Sequence, residues 1–547
     1  MSPSSRSGVL AVLTAMAAVD VATAFLVQGP VSAGSIPARP LSLRTAKSES
    51  FFATRKSPNA DRGIHTSFHS FHATSMRSKT SNLLMAESGQ NEGEQMKFAS
   101  GLSVGFDSVV GGLDDAIERC QKQFEGAPSV DLATVFISAR YMEARGGSKP
   151  ATNQDIQDVV KRLQDKLGAK HVIGCIGGGV CGTGEEDGLP EEFENFKAIA
   201  LSVAYLPGVE IKPFRIKTAD LPNEDALQEE WREIVGDVKP EDEPAIIMFS
   251  DAGFSRHGDL ISLLQGLDYA YSGCPKVGGI SAPSPVAAVD IPTVFGSMAG
   301  EHSDGTVVGV SLTGNVEVEP IVAQGCSPIG PLLEVAQARG NVVKEVTEVE
   351  GGSRTMMTVE ALKKAIETLS PQQAQLAQTA LFVGIANDDF KSEPEQGDFL
   401  IRQVVGVQVS DGSLVVGDSL RPGQRIRFHI RDREAAVQEI ETLMAQYKRA
   451  RLTEMMSGAP KPPAAGLMMF ACVGRGRGLF GEANYDSRMA YYSTGVPVAG
   501  IFCNGEVGPV SGKSFLHGFS SVFAIFRPRS PKKVEEAKEE TGEKGGE

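Results

Sequence analysis

Residues 466–509, GLMMFACVGRGRGLFGEANYDSRMAYYSTGVPVAGIFCNGEVGP, decide how the fold is read. GLMMFAC, at 466–472, is apolar throughout, as a strand buried on both faces must be. A glycine-rich turn and a helix around 485–492 lead to a second apolar strand, VPVAGIF at 496–502, and to the turn CNGEVGP. The same order occurs twice earlier. LATVFIS at 132–138 precedes a helix whose Ile156, Val159, Val160, Leu163 and Leu167 share one face, closed by Gly168, with a strand at 171–176 after it. AIIMF at 245–249, a helix with Leu260, Leu263, Leu264 and Leu267, and a strand at 276–280 make another copy. Each second strand sets a glycine beside an apolar residue (VIGCI, VGGIS, VAGIF), and a further apolar run follows at 198–205, 306–312 and 520–526. A weaker fourth copy starts at Leu381 (LFVGIAND) and continues at Val404 (VVGVQV), without room for a long helix. The pattern predicts an α/β fold, or a mixed α+β one, built by internal duplication; the copies are too few and unevenly spaced for a repeat array.

The 547 residues exceed what one hydrophobic core usually supports. At 41% hydrophobic and 22% charged residues the chain is not wholly disordered, and no apolar run of about 18 residues offers a membrane span in the mature protein. The net charge of −15 argues against nucleic acid as a partner, since phosphate contacts need a basic surface. That charge is uneven: residues 1–86 hold nine Lys and Arg against Asp20, Glu49 and Asp61, so a leader of +6 precedes a remainder of −21.

Residues 1–24 have the parts of a secretory signal: Arg6, an apolar core at 9–19 and the small-residue exit Ala22-Thr23-Ala24, with cleavage expected before Phe25. Residues 25–86 are rich in Ser and Thr and basic, with the composition of a transit peptide; His65, His69 and His72 are polar filler there, not a metal site. Together the two resemble the bipartite plastid presequence of algae with secondary plastids, the Ala-Thr-Ala-Phe junction being the match. A plastid location is expected, the alternative being a secreted protein with a spacer. Seven cysteines with no dense framework read as reduced thiols and favour the plastid. Residues 87–128 read as a linker, 129–345 and 346–527 as two related halves divided near 345–357, and 528–547 as a disordered charged tail.

Gly177, Gly179 and Gly182, and again Gly476, Gly478 and Gly481, spell GxGxxG after a strand. The first loop runs into the acidic, proline-broken TGEEDGLPEEF, where a dinucleotide would need a helix N-terminus. The second is better placed, with Glu506 where a ribose-binding acid lies in such folds. Neither is a P-loop, and Cys472 with Arg477 misses phosphatase spacing by one residue. Cys175 and Cys181 are too far apart for a zinc pair, and no GxSxG or HExxH occurs. No catalytic residue, metal site or cofactor is assigned. What stands out is a concentration of polar groups at strand ends: Cys472, Arg475 and Arg477, then Asn484, Tyr485, Asp486 and Arg488, then Asn504 and Glu506, with His517 close behind. In a shared sheet these converge on one crevice. One reading is a site for a zwitterion, Arg475 or Arg477 taking a carboxylate and Glu506 an ammonium. The other is an internal Arg-to-Glu salt bridge closing the turn.

Residues 470–526, with the C-x-GRG stretch, the strand-turn around Gly505-Glu506 and the closing LHGF, resemble the FIST C-terminal domain. VFISAR, HVIGCIGGGVCGTGE, KVGGISAP, VVGVSLTGN and QGCSPIGP resemble its FIST N-terminal partner. The resemblance implies a sensory, small-ligand-binding domain pair in signal transduction, with amino acids proposed as ligands and without a cofactor. It carries over Gly174, Gly178, Gly182, Gly278, Gly279, Gly474, Gly476, Gly505 and Pro509 as backbone positions. Cys472, Arg475, Arg477, Tyr485, Arg488, Asn504 and Glu506 are the ligand-binding candidates. Some relatives carry an F-box and act in ubiquitin ligases; here a targeting leader stands in that place. Two alternatives remain: a nucleotide- or thiol-dependent redox enzyme using GRGRGLFG with Cys472 or Cys503, and a protein-interaction scaffold of unknown partner.

Overall fold

Three parallel strand pairs form where the recurring apolar runs lie. Leu132–Ser138 runs beside His171–Gly177, Ala245–Ser250 beside Lys276–Ile280, and Gly466–Cys472 beside Val498–Cys503. A parallel pair needs a crossover, which the helices Asn153–Leu167, Asp259–Ala270 and Tyr485–Thr494 supply. The first helix is started by a capping box between Thr152 and Asp155 and stopped by Gly168 at φ 62°. In each copy the third apolar run returns antiparallel to the first strand, and an outer strand, Lys97–Val104, Val209–Lys217 or Glu317–Ala323, pairs with it. This computed structural model describes residues 95–144, 149–185, 187–256, 258–283, 291–298, 305–350, 354–408, 410–458 and 460–530. The signal and transit segments, and the tail from 531 onward, lie outside the described residues. Among the described residues no helix is long and apolar enough to cross a membrane.

The copies are joined by exchange. After its second strand, each passes into the sheet of another. The hairpin Gly179–Thr183 and Pro190–Glu194 extends the sheet at Val498–Cys503, Val294–Gly296 extends it at His171–Gly177, and the hairpin Glu506–Val510 and Lys513–His517 extends it at Lys276–Ile280. The handovers close a cycle of backbone hydrogen bonds: Gly178 N to Phe502 O, Ala282 N to Ile176 O and Asn504 N to Ile280 O, each 3.0 Å. The same position of each first strand holds a buried phenylalanine, and Phe136, Phe249 and Phe470 pack on one another with ring centroids 5.7, 6.4 and 5.9 Å apart. Across the parallel pair, the residue before each phenylalanine's partner is a glycine: Gly174, Gly278, Gly500. A Cβ there would lie 2.4 Å from Phe295, 1.8 Å from the Met248 carbonyl oxygen and 2.3 Å from that of Met469. Close approach, then, accounts for the glycine in VIGCI, VGGIS and VAGIF.

Three expectations change. The α/β class holds, but the chain is three exchanging copies with one insertion rather than two related halves, and all described residues fall in one compact unit. The insertion is an antiparallel sheet of seven strands, from Cys326–Arg339 through Arg425–Arg431, with the helix Thr358–Glu367 packed into its core. It separates the third copy's outer strand from the rest. The expected boundary at 345–357 lies within it, where Val342–Glu348 pairs with Thr355–Met357. The weak fourth copy is its antiparallel pair Leu381–Ala386 and Phe399–Gln408. Finally, residues 97–128 are not a linker. They hold the strand Lys97–Val104 and the helix Val109–Gln123, whose Leu113, Ala116 and Ile117 are buried. Their glycines misled because Gly101 serves packing: a Cβ there would meet the Ala116 carbonyl oxygen at 2.4 Å.

Phe470→Ala should cost about 3–5 kcal/mol in equilibrium denaturation. Phe390→Ala, at a residue 93% exposed, should change stability by no more than about 0.5 kcal/mol.

Candidate functional site

The copies repeat one local device, and its variations expose the site. Two residues past each core phenylalanine, a polar side chain accepts a backbone N–H and turns the chain. Ser138 Oγ accepts from Arg140 N at 3.3 Å, Asp251 Oδ1 from Phe254 N at 2.7 Å, and Cys472 Sγ from Gly474 N at 3.5 Å. Three residues further on sits a large, fully buried side chain: Tyr141, Phe254 and Arg475. Two copies fill this place with an aromatic ring and the third with a guanidinium.

The charge of Arg475 is answered within the chain. Its Nε and Nη2 reach Asp486 at 2.6 and 2.8 Å, and its guanidinium lies 5.3 Å from the Phe480 ring centroid. Asp486 also accepts from Ser521 Oγ at 2.6 Å. The internal pair is therefore Arg475 with Asp486, not Arg475 with Glu506, and the bidentate capacity expected for a ligand is already used. Glu192, from the exchanged hairpin of the first copy, accepts from Asn484 N and Ser487 N at 2.9 Å each and covers the start of the helix Tyr485–Thr494. Burial first, then the nearby Asp486, pushes the Glu192 carboxyl up to about 7.

Glu506 is the exception to the pattern. Its backbone register against Gly279 matches that of Val294 against Cys175 and of Val180 against Ile501, so valine occupies the equivalent place in both other copies. The fold accepts valine there. Glu506 is nevertheless fully buried, with Oε2 accepting from Ser520 N at 3.2 Å and Oγ at 2.8 Å, and with Oε1 lacking any hydrogen-bond partner among the described residues. Burial pushes its carboxyl up to about 8, the Ser520 bonds, Arg475 and Arg431 pulling the other way, so the balance at neutral pH is moved toward the un-ionised acid. Burial likewise holds the Cys472 thiol up at about 12.

The inserted sheet supplies the facing wall. Arg431, at the end of its strand, donates Nη2 to the Gly474 carbonyl at 2.5 Å and lies 5.0 Å from the Phe519 ring centroid, while its buried Nε has no partner. Phe519 packs edge-on against Phe382 of the inserted sheet at 5.0 Å. Its φ of 65° is left-handed, a conformation that costs a bulky residue about 1–2 kcal/mol and collects at functional places. Across the strand pair from Phe382 is His429, with Nε2 unpartnered among the described residues, as is Oε1 of Gln324; Phe399 links the two, meeting the imidazole edge-on and accepting from the Gln324 amide.

Of the seven candidates, Cys472, Arg475 and Glu506 come together. Arg477 and Asn504 are exposed, Arg488 donates to the Pro190 carbonyl at 3.4 Å, and the Tyr485 hydroxyl bonds Glu441 at 3.2 Å. His517 is buried, with its ring nitrogen 3.0 Å from the Gly508 carbonyl oxygen. Of the glycine positions, Gly182 packs against Leu102 and Ala200, Gly178 and Gly505 lie at handovers, Gly279 faces Cys503, and Gly474 and Gly476 shape the turn. Arg431, Phe519 and Gln324 were missed. A single arginine in the strand RIRFHIR carries no local signal, because strand arginines are ordinarily solvent-facing. A separate cleft of about 410 Å³ lies between Arg119, Lys122, Glu185 and Tyr491, at the far end of the helix Tyr485–Thr494 from Asp486. Its Arg119 is already paired with Asp115 and Glu185. Among the described residues no cluster suited to a metal ion occurs.

Two outcomes follow for stability. Arg475→Ala leaves Asp486 buried without its partner and should cost about 3–5 kcal/mol. Glu506 has a folded-state pKa above its ordinary value, so its contribution to stability is present below about pH 4.5 and is lost as pH rises toward 8. Glu506→Gln is uncharged throughout and can accept the same Ser520 bonds. Its melting temperature should climb relative to wild type across that window, by at most about 1.4 kcal/mol per pH unit in free energy, and level off above it. A flat difference would show that the carboxyl titrates normally.

Family models for the FIST N domain and the FIST C domain match residues 131–348 and 359–509. Uncharacterized proteins of Mycobacterium bovis and of Mycobacterium tuberculosis are each 37% identical over 222 residues, and a second from M. tuberculosis is 35% identical over 221. Each match covers 40% of this chain and 53% of the relative, so the chain spans about half the length of the curated relatives it matches. A solved structure described as "Cyanuric acid hydrolase: evolutionary innovation by structural concatenation" aligns over 79% of this chain and 100% of its own at 9% identity and a TM-score of 0.25, too slight a likeness to bear on fold or function. With both family models matched along the sequence, the chain belongs to the FIST family, whose domains are generally sensory, ligand-binding domains of signal transduction.

Proposed function

We propose that this chain is a sensor that binds a small polar metabolite, an amino acid or a molecule of that size, without turning it over. The site is the junction of Glu506, Cys472 and Ser520 with Arg431 and Phe519. The observation that carries this reading is Glu506: a buried acid with a free oxygen, where two copies of the same unit hold valine. An unpaired buried carboxyl costs stability, and such costs are retained where they serve function. The strained Phe519 beside it supports the same place. Residues 1–86 are read as directing the protein to a plastid.

The redox alternative has less physical support. Burial raises the thiols of Cys472 and Cys503 away from the reactive thiolate. In the GRGRGLFG loop, the Arg477 amide that would cradle a phosphate is bonded to Glu194 Oε1 at 2.7 Å. A scaffold role would appear as a co-purifying protein without any small-molecule response.

Thermal shift of the full chain over a panel of amino acids and related metabolites tests the proposal. A specific ligand at about 100 times its Kd should stabilise by about 2.7 kcal/mol, and Glu506→Val should abolish that shift. If no compound shifts the wild type, or if the shift survives in Glu506→Val, the site is not the one proposed.

A further inference from the structure

The proposed ligand can be narrowed by asking which charges at the junction are already answered. Arg475 is paired with Asp486. Asp432, beside Arg431 in sequence, spends Oδ1 on Ala435 N and Oδ2 on Ser327. Glu439 accepts from Gly325 N. Arg431 is the cation left over: among the described residues no carboxylate lies within ion-pair distance of it, and its Nε–H is buried and unbonded. It meets the turn at Gly474 and Phe519, and Glu506 meets the same turn from the other side through Ser520. Because Glu506 Oε2 already accepts two hydrogen bonds from Ser520, the proton of the neutral acid belongs on Oε1, which makes that oxygen a donor. Two unspent donors, one of them cationic, thus border one turn. Arg431 is half-buried, and a guanidinium whose Nε–H is shut off from solvent without a partner is unfavourable until one arrives.

Resting on the small-ligand reading above, we infer that the ligand carries a carboxylate, seated between the Arg431 Nε–H and Oε1 of Glu506. Arg431, from the inserted sheet, is then the charge-selecting residue, and the roles expected from sequence are exchanged: Glu506 binds the anionic end of the ligand as a donor instead of an ammonium as an acceptor. Since the two residues belong to the inserted sheet and to the exchanged hairpin, a bound carboxylate ties these two elements together. The groups facing Glu506 that bear on its proton are Arg431 and Arg475, which favour its loss, the thiols of Cys472 and Cys503, and the neutral imidazole of His517, its partner across the hairpin. Ionisation of Glu506 above about pH 8 removes the donor and sets two negative groups together, so binding weakens there.

The test compares matched probes on the full chain by calorimetry and thermal shift: acetate, pyruvate, glycine and L-alanine against acetamide, pyruvamide, glycinamide and L-alaninamide. At least one carboxylate should bind while its amide does not. Arg431→Met should weaken that carboxylate by about tenfold or more, in keeping with loss of a charge-assisted bond, and Arg477→Ala should leave it unchanged. Glu506→Gln, which keeps a donor, should retain binding within a few-fold and lose the weakening above pH 8. That variant keeps the test decisive if Arg431→Met fails to fold. An amide that binds as well as its acid, or a carboxylate indifferent to Arg431→Met, overturns the carboxylate inference while leaving a small-ligand site in place. Binding by neither class overturns both.

Discussion

Three backbone hydrogen bonds, from Gly178 to Phe502, Ala282 to Ile176 and Asn504 to Ile280, hold the molecule's plan. Each marks the point where one copy leaves its own sheet and enters another's. Because the exchange is cyclic, no copy has a complete sheet of its own, and the three cannot be separated without breaking strand pairing. The glycines Gly174, Gly278 and Gly500 are the steric condition for this arrangement: the neighbouring strand or ring lies where a Cβ would be. The mutual packing of Phe136, Phe249 and Phe470 is the apolar counterpart of the same constraint.

Threefold repetition also provides an internal comparison. Where the copies agree, the residue serves the fold; where one departs, something else is being served. Ser138, Asp251 and Cys472 each cap a turn, and Tyr141, Phe254 and Arg475 each fill the space beneath it. Arg475 departs in charge, but Asp486 answers it, so its role is closed within the chain. Glu506 departs from Val180 and Val294 and is not answered. That difference, more than burial or proximity, separates a structural polar group from a candidate for binding. The insertion strengthens the distinction, because Arg431, which meets the same turn as Glu506, comes from outside the repeated unit.

How much of this is legible in the sequence depends on the range of the interaction. The strand-helix-strand copies are visible because apolar runs and helical spacing are local, and Gly168 is readable as a helix end because its left-handed backbone is a one-residue property. The structured stretch 97–128 is not legible in the sequence because glycine is a loop signal on its own, whereas Gly101 admits a helix against a strand. The apparent fourth copy arises because a short apolar strand looks alike in a parallel pair and in the antiparallel inserted sheet; only its partner differs.

The sequence by itself determined the α/β class, the recurring unit, the glycines of close approach and the third copy's strand ends as the place where polar groups gather. It could do so because each depends on neighbours along the chain. Only the tertiary structure decided that Arg475 is spent on Asp486, that Glu506 is buried and pushed toward its un-ionised form with one oxygen free, and that Arg431 meets the same turn. Those outcomes depend on which distant segments the strand exchange and the insertion bring together, and a buried group's charge and hydrogen bonding are set by those neighbours rather than by its own type.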